Sequence, residues 1–393
     1  MPAGESGEMK LDKKKNSALG IYIHIPFCKH RCRYCTFLSD DETGDKERSL
    51  YVAQLRREIA GKSELYAAGR VVDTIFIGGG TPTILPIAEI DDIIEAVYSR
   101  FCVADDAEIT IEANPGTVDR EYLRGVREVG ANRISFGVQS FDDGTLRRLG
   151  RIHTSREAVE SYDAARAAGY GNVNIDLIFG LPDQSVGSWA GDIRTSLGLR
   201  PDHISFYDLQ LEEETPLYED VISGRLEALS DIEDRRMYHS AVDALTVSGY
   251  EHYEISNAAL PGMKSRHNLK YWSMDDYLGF GLGAHSYMDG RRFVNTEFRS
   301  DYIKAGSSEQ MVSSYYNNTP GDEMSEYIWL GLRRTDGISL TDFSERFGED
   351  FMKLYASEME NLIERKLLMC DGDKLRLTAL GLDLSNVVFR EFV

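Results

Sequence analysis

Three cysteines, Cys28, Cys32 and Cys35, share one polar loop at CxxxCxxC spacing, directly after the apolar run Gly20 to Phe27. Thiolates so spaced can each bind one iron of a [4Fe-4S] cubane. A cubane has four irons, so one is left open to a ligand that is not a cysteine. The same trio could instead join His24 or His30 in a tetrahedral zinc site, because zinc tolerates several such spacings. Structural zinc usually draws on two paired half-sites, however, and the other cysteines, Cys102 and Cys370, lie far off in the chain and supply no second pair. The isolated trio leans toward a cluster.

Further polar and glycine residues recur downstream. Gly78-Gly79-Gly80-Thr81-Pro82-Thr83 is a turn stripped of side chains, which lets backbone groups approach a small ligand. It lacks both GxGxxG and a Gly-Lys-Ser/Thr ending, so it fits nucleotide-phosphate loops poorly. Glu112 (in EANP), Gln139 (in GVQS), Arg151 (in LGRIH) and Asp176 (in DLIFGLP) follow. Packing requires none of these four, and together at one mouth they would recognise a zwitterionic, polyhydroxylated ligand.

The elements that must position them can be read from periodicity. Strand-like runs cover Ile21 to Pro26, Asp73 to Ile77, Glu108 to Glu112, Arg133 to Val138, Asn172 to Ile178 and His203 to Leu209. Amphipathic stretches lie between them, at Arg48 to Ala60, Ile87 to Tyr98, Ser155 to Ala168 and Gln184 to Leu197. Strand and helix alternating about six times predicts an α/β fold whose parallel sheet curls into a partial TIM-like barrel with its ligand at the carboxyl ends of the strands. The polar residues above stand at those ends. Past Thr319 the pattern changes to helices at Asp322 to Leu332, Leu340 to Phe347 and Asp350 to Arg365, a hairpin at Leu367 to Leu377 turning at Asp371-Gly372-Asp373, and a last helix from Thr378 to Arg390. That order predicts a winged-helix-like module. The expected division is therefore a disordered leader over 1–19, a barrel over 20–250, an extension over 251–318 and the C-terminal module over 319–393.

Composition narrows the function classes. The 393 residues, 42% of them hydrophobic, can fill a large core. Against 44 basic residues stand 65 acidic ones, a net charge of -21 that would repel nucleic acid and anionic membrane. The lysines between Lys10 and Lys15 sit in a polar leader that reads as a solvated tail. Five cysteines without a signal peptide or a sustained apolar span predict a reduced, cytoplasmic protein with no transmembrane segment.

The cysteine loop after the first strand, with a glycine-rich turn after the second, resembles the radical S-adenosylmethionine (SAM) superfamily. The runs YIHIPFC (Tyr22 to Cys28), GGGTP (Gly78 to Pro82) and DLIFGLP (Asp176 to Pro182) resemble its coproporphyrinogen oxidase-like branch. The resemblance implies that Cys28, Cys32 and Cys35 ligate a [4Fe-4S] cluster whose open iron is chelated by SAM. It implies that Tyr22, Gly79, Gly80 and Thr81 line the methionine end, with Glu112 near the amino or ribose region and Gln139, Arg151 and Asp176 around the nucleoside. A low-potential electron donor such as flavodoxin or ferredoxin would supply the electron that cleaves SAM to a 5'-deoxyadenosyl radical.

Two details separate relatives within this branch. Coproporphyrinogen III dehydrogenases are expected to carry a fourth cysteine, as CxxxCxxCxC, and a longer leader. Here that position is Phe37, and 19 residues precede the apolar run that opens at Gly20. The departures are similar to HemW-type heme chaperones, which bind heme and pass it to an acceptor protein, soluble or membrane-associated. The run His267-Asn268-Leu269-Lys270-Tyr271-Trp272 resembles the HNxxYW signature of that group. It would make His267 an axial heme ligand and Tyr271 and Trp272 aromatic faces for the macrocycle. The plainer alternative is that His267 caps a turn and Trp272 packs on the barrel. His285, within GLGAHSY, ranks below His267 because the glycines around it read as a close backbone turn. The function expected is heme chaperoning without coproporphyrinogen III dehydrogenase activity. The alternatives are that dehydrogenase, against which Phe37 counts, and a radical SAM methyltransferase, which has no evident use for His267 or Trp272.

Overall fold

Leu19, Ile21, Ile23 and Ile25 have no exposed surface, although they lie on the same strand as the buried His24 and the half-buried Tyr22. A strand covered on both faces in this way belongs in the interior of a parallel sheet. In the computed structural model, which describes residues 17–393, this strand, β1 (Ser17–Ile25), is followed by α1 (Asp45–Tyr66), β2 (Arg70–Gly79), α2 (Ile87–Tyr98), β3 (Cys102–Ala113), α3 (Arg120–Glu128) and β4 (Arg133–Gln139). Next come α4 (Asp143–Arg148), α5 (Ser155–Ala167), β5 (Val173–Phe179), α6 (Val186–Leu199) and β6 (His203–Asp208). Helix α2 buries Ile90, Ile93, Ile94 and Val97, a 3.6-residue stripe facing the sheet, and α5 begins at a capping box between Thr154 and Glu157. Lys10 to Lys15 and the expected leader up to residue 16 lie outside the described residues, while Ser17 to Leu19, expected in the leader, belong to β1.

The chain continues through α7 (Pro216–Ile222), α8 (Asp231–Val247), β7 (Glu251–Glu254), β8 (Asn257–Ala259), α9 (Arg266–Trp272), β9 (Tyr277–Phe280), β10 (His285–Met288), β11 (Arg291–Asn295), α10 (Arg299–Lys304) and β12 (Val312–Asn317). Among the described residues, twelve strands form one sheet in the order β12-β11-β10-β9-β1-β2-β3-β4-β5-β6-β8-β7. Strands β1 to β6 run parallel in sequence order, and β9 pairs parallel with β1. The stretch read as one extension is thus split between both edges. Strands β7 and β8 add antiparallel beyond β6, and β10 to β12 add antiparallel beyond β9.

The C-terminal part comprises α11 (Pro320–Gly331), β13 (Ile338–Ser339), α12 (Leu340–Phe347), α13 (Phe351–Leu354), α14 (Ala356–Glu364), β14 (Leu368–Asp371), β15 (Lys374–Leu377), α15 (Ala379–Asp383) and α16 (Ser385–Arg390). Two helices expected to be continuous are each broken once, at Tyr355 and at Leu384, and both residues sit at φ near -115°, outside the helical range. Its core, around Phe343, Phe351, Leu362 and Leu375, is separate from that of the sheet. A smaller cluster of Met274, Tyr277, Tyr287 and Leu330, flanked by Trp272 and Trp329, joins the two.

Candidate functional site at the strand ends

The cysteine loop begins where β1 stops. Arg33 anchors it, with its backbone N–H donating to Leu149 O at 3.0 Å, its carbonyl accepting from Leu217 N at 3.0 Å and its guanidinium pairing with Asp220 at 2.5 Å. All three cysteines are half-buried. The Thr81 hydroxyl lies 3.6 Å from Cys28 Sγ and Arg151 Nη1 lies 3.3 Å from Cys32 Sγ, each positioned to donate. Burial pushes the Cys28 and Cys35 thiols above their ordinary pKa. A metal would reverse that direction by binding the thiolate. Among the described residues, no three His, Cys, Asp or Glu side chains converge closely enough to hold a single metal ion. Three half-buried thiols on one loop are a ligand set that a multi-iron group can take.

The glycine turn closes over the loop. Gly79 has φ +113°, and a Cβ there would lie 2.5 Å from the His24 ring. A Cβ on Gly80 would lie 2.6 Å from the Phe27 carbonyl oxygen. Gly80 N donates to Ile25 O at 2.9 Å and Thr81 N to Phe27 O at 2.7 Å, so the end of β2 is stitched to the start of the cysteine loop. No side chain could be added at this seam without moving the loop.

Glu112, Gln139, Arg151 and Asp176 come together across the ends of β3, β4 and β5. Glu112 Oε2 accepts from Gly79 N at 3.0 Å. Burial, and next the charge of Asp176, push its pKa up from 4.5 to about 8. Asp176 accepts from Ser135 at 3.1 Å and Asn174 at 2.7 Å, and burial raises its pKa as well. Two carboxylates held in this way favour a cationic neighbour. Gln139 takes φ +68°, strained for a residue with a Cβ, and its amide oxygen is buried with no partner among the described residues. An orphaned acceptor there suits an amine or hydroxyl donor. Arg151 Nη2 donates to Asn114 Oδ1 at 2.5 Å and to the Gly137 carbonyl, while Asn114 Nδ2 donates to Thr81 Oγ1 at 2.7 Å. Asn114 thus ties Arg151 to Thr81, a role the sequence reading missed although the Asn114-Pro115 step at the end of β3 was its signal. These residues fit a small zwitterion with hydroxyl groups.

The HNxxYW residues form α9. His267 is 1% exposed, with Nδ1 at 2.9 Å from the Thr74 hydroxyl and Nε2 at 2.8 Å from the Tyr271 hydroxyl. Burial, then Lys270 and Arg133, drive its pKa down to about 3. The imidazole is therefore neutral, with both nitrogens engaged and neither open to iron, so the expected axial role is not met by this geometry. Trp272 packs with Tyr271 and beneath the Arg333 guanidinium, 4.4 Å from its ring centre, at the junction with the C-terminal part. Of the three, Tyr271 is the one on the wall of a cavity. It helps line a cavity of about 500 Å³ together with Tyr22, His24, Arg31, Phe37, Tyr277, His285 and Glu297. Phe37 is 67% exposed there. The cavity wall does not include Glu112, Gln139, Arg151 or Asp176. His24, also on the wall, donates from Nε2 to Leu38 O at 2.8 Å and so accepts from Tyr22 at Nδ1, 2.9 Å away. It is a satisfied histidine, as are His203, bonded to Asn174 and Tyr253, and His153 in part, bonded to Val138 O.

Residues 22–194 match the radical SAM superfamily and residues 318–384 match the HemN C-terminal domain. The chain is 35% identical over 381 residues to the heme chaperone HemW of Lactococcus lactis, covering 97% of this chain and 98% of that protein. It is 41% identical over 285 residues to the heme chaperone HemW of Escherichia coli, covering 72% and 74%. In structure it is similar to the coproporphyrinogen III oxidase HemN of Escherichia coli, with a TM-score of 0.84 over 97% of this chain and 91% of that one, at 24% identity. That likeness establishes the fold, since the two sequences have diverged far. The cysteine loop, the glycine seam and the near-complete match to the chaperones agree, and the chain belongs to the HemW heme chaperone family of the radical SAM superfamily.

Proposed function

We propose that this protein binds heme and transfers it to an acceptor protein, and that it carries a [4Fe-4S] cluster on Cys28, Cys32 and Cys35 with SAM at the open iron. The observation that carries the reading is the aromatic cavity of about 500 Å³ beside the cysteine loop, with exposed Phe37 at its edge where the dehydrogenases are expected to place a fourth cysteine. A volume of this order lies in the range of sites that enclose a flat organic cofactor. Phe37, Tyr271 and Tyr277 offer it apolar faces.

When bound, the cluster and SAM supply one-electron chemistry, and the chain's own groups set the environment. Gly79, Gly80 and Thr81 leave backbone room beside the loop, Glu112 and Asp176 offer buried carboxyls whose ionisation a sulfonium would favour and whose oxygens can accept from hydroxyl groups, and Gln139 offers its amide oxygen. Arg151 offers positive charge beside Cys32 and suits a carboxylate. In α9, His267 orients Tyr271 toward the cavity. The electron would come from a low-potential donor such as flavodoxin or ferredoxin. Five free cysteines are in keeping with a reduced cytoplasm, and no helix among the described residues is long and apolar enough to cross a membrane. A C-terminal domain from about residue 319 is supported by the separate core that begins in α11.

The competing activity, oxidative decarboxylation of coproporphyrinogen III, shares the fold. The two are separated by incubating cluster-loaded, reduced protein with SAM and coproporphyrinogen III, and in parallel titrating it with hemin. Saturable hemin binding with no protoporphyrinogen formed is the expected outcome. Turnover of coproporphyrinogen III would overturn it.

A further inference from the structure

The cavity wall contains two histidines. His24 is engaged at both ring nitrogens. His285 is exposed at the rim, and its ring has no hydrogen-bond partner among the described residues. Partial enclosure and Arg292 hold its pKa below the ordinary histidine value against the opposing pull of Glu297, which keeps the imidazole in its neutral, ligating form.

The backbone is built to present this side chain. Gly281, at φ +94°, turns the chain between β9 and β10, and a Cβ there would meet the His24 carbonyl oxygen at 2.6 Å. His285 opens β10 and is held in register opposite Val294. From below, the buried Glu58 accepts from Gly281 N at 2.8 Å and the buried Lys62 donates to Gly279 O at 2.8 Å. The glycines around His285 place it on the cavity.

Resting on the heme-chaperone reading, and deepening it, we propose that His285 supplies the axial nitrogen to heme iron, with the macrocycle in the cavity lined by Phe37, Tyr271 and Tyr277. An iron porphyrin needs an open imidazole, apolar faces for its ring and a cation for its carboxylates. Arg31, on the same wall, supplies the cation, and Glu297 disfavours the carboxylates on its own side, which orients the ring. His267 offers no free nitrogen, so the motif that carries it shapes the wall rather than holding the metal.

The test is a titration of the full-length, cluster-reconstituted protein with hemin, followed by Soret difference spectra and ferric electron paramagnetic resonance, in the parent and in His285→Ala, with His239→Ala as a half-buried histidine outside the cavity. His285→Ala should bind hemin at least tenfold more weakly and lose the histidine-ligated spectrum, added imidazole should restore that spectrum, and His239→Ala should match the parent. If His285→Ala keeps the parent's affinity and spectrum, the assignment is overturned while heme binding stands. If the parent itself fails to bind hemin saturably, the heme-chaperone reading falls, and this inference with it.

Discussion

Glu112 and Asp176 face each other across β3 to β5 in surroundings where neither gains by being charged. The folded chain holds the Glu112 proton more tightly than the unfolded chain does, so the stability this gives is complete below pH 4.5 and is lost as pH rises through about 8. Glu112→Gln cannot ionise. In urea unfolding of the apoprotein it should match the parent near pH 4.5 and exceed it above pH 8 by about 1–3 kcal/mol, less than the full shift because the carboxylate opens toward the mouth and is partly screened. An equal decline in both proteins would show that Glu112 does not hold the proton. At the cysteine loop, Cys32→Ala should abolish the cluster's absorbance and bound iron, while thermal unfolding moves by less than about 1 kcal/mol because the side chain is half-buried on a loop. Retention of the full iron complement would contradict the ligand assignment.

Helix α1 reaches across the sheet to brace the turn that carries His285. Glu58 and Lys62, 2.7 Å apart and almost wholly buried, share Asn295, which donates to Glu58 at 2.6 Å and accepts from Lys62 at 3.0 Å, and Tyr302 adds a bond to Glu58 at 2.7 Å. Removing one partner of such a pair strands the other. Glu58→Ala should therefore cost about 3–5 kcal/mol in chemical denaturation, and a loss below 1 kcal/mol would show that the network does not brace the turn. This brace was not legible in the sequence. Glu58 and Lys62 are spaced i, i+4, which reads as an ordinary exposed helix pair until β9 to β11 fold over them. The parallel strands were legible because runs such as Ile21 to Pro26 and Asp73 to Ile77 are dominated by apolar and β-branched residues. The short strands β7 to β12 carry too few residues for a period, and the pairing of β9 with β1 joins segments far apart in the chain. The surroundings of His267 were not legible for a related reason. A motif gives the residue type, but only the packed neighbours Thr74 and Tyr271 show that its nitrogens are already engaged. Cys28, Cys32, Cys35 and the glycine turn were legible because their chemistry lies in local spacing.

Across the whole molecule, the sheet and the C-terminal part meet through Trp272, Tyr287 and Leu330, through the ion pair of Arg292 with Glu326 at 2.7 Å, and through Arg346 donating to Met274 O at 3.1 Å. Because Tyr271 and Tyr277 belong to both this junction and the cavity wall, the two parts should unfold together. Scanning calorimetry should give one cooperative transition, and two resolved peaks would contradict that coupling. The net charge of -21 leaves docking of a partner dependent on local patches rather than on overall attraction. The central claim is transfer, and its most direct test is to mix the hemin-loaded protein anaerobically with an excess of an apo-globin and follow the exchange of Soret bands. The account predicts saturable loading followed by movement of heme to the globin, with faster transfer than from free hemin aggregates. Hemin that never loads saturably, or that once loaded stays with this protein in the presence of the acceptor, would contradict it.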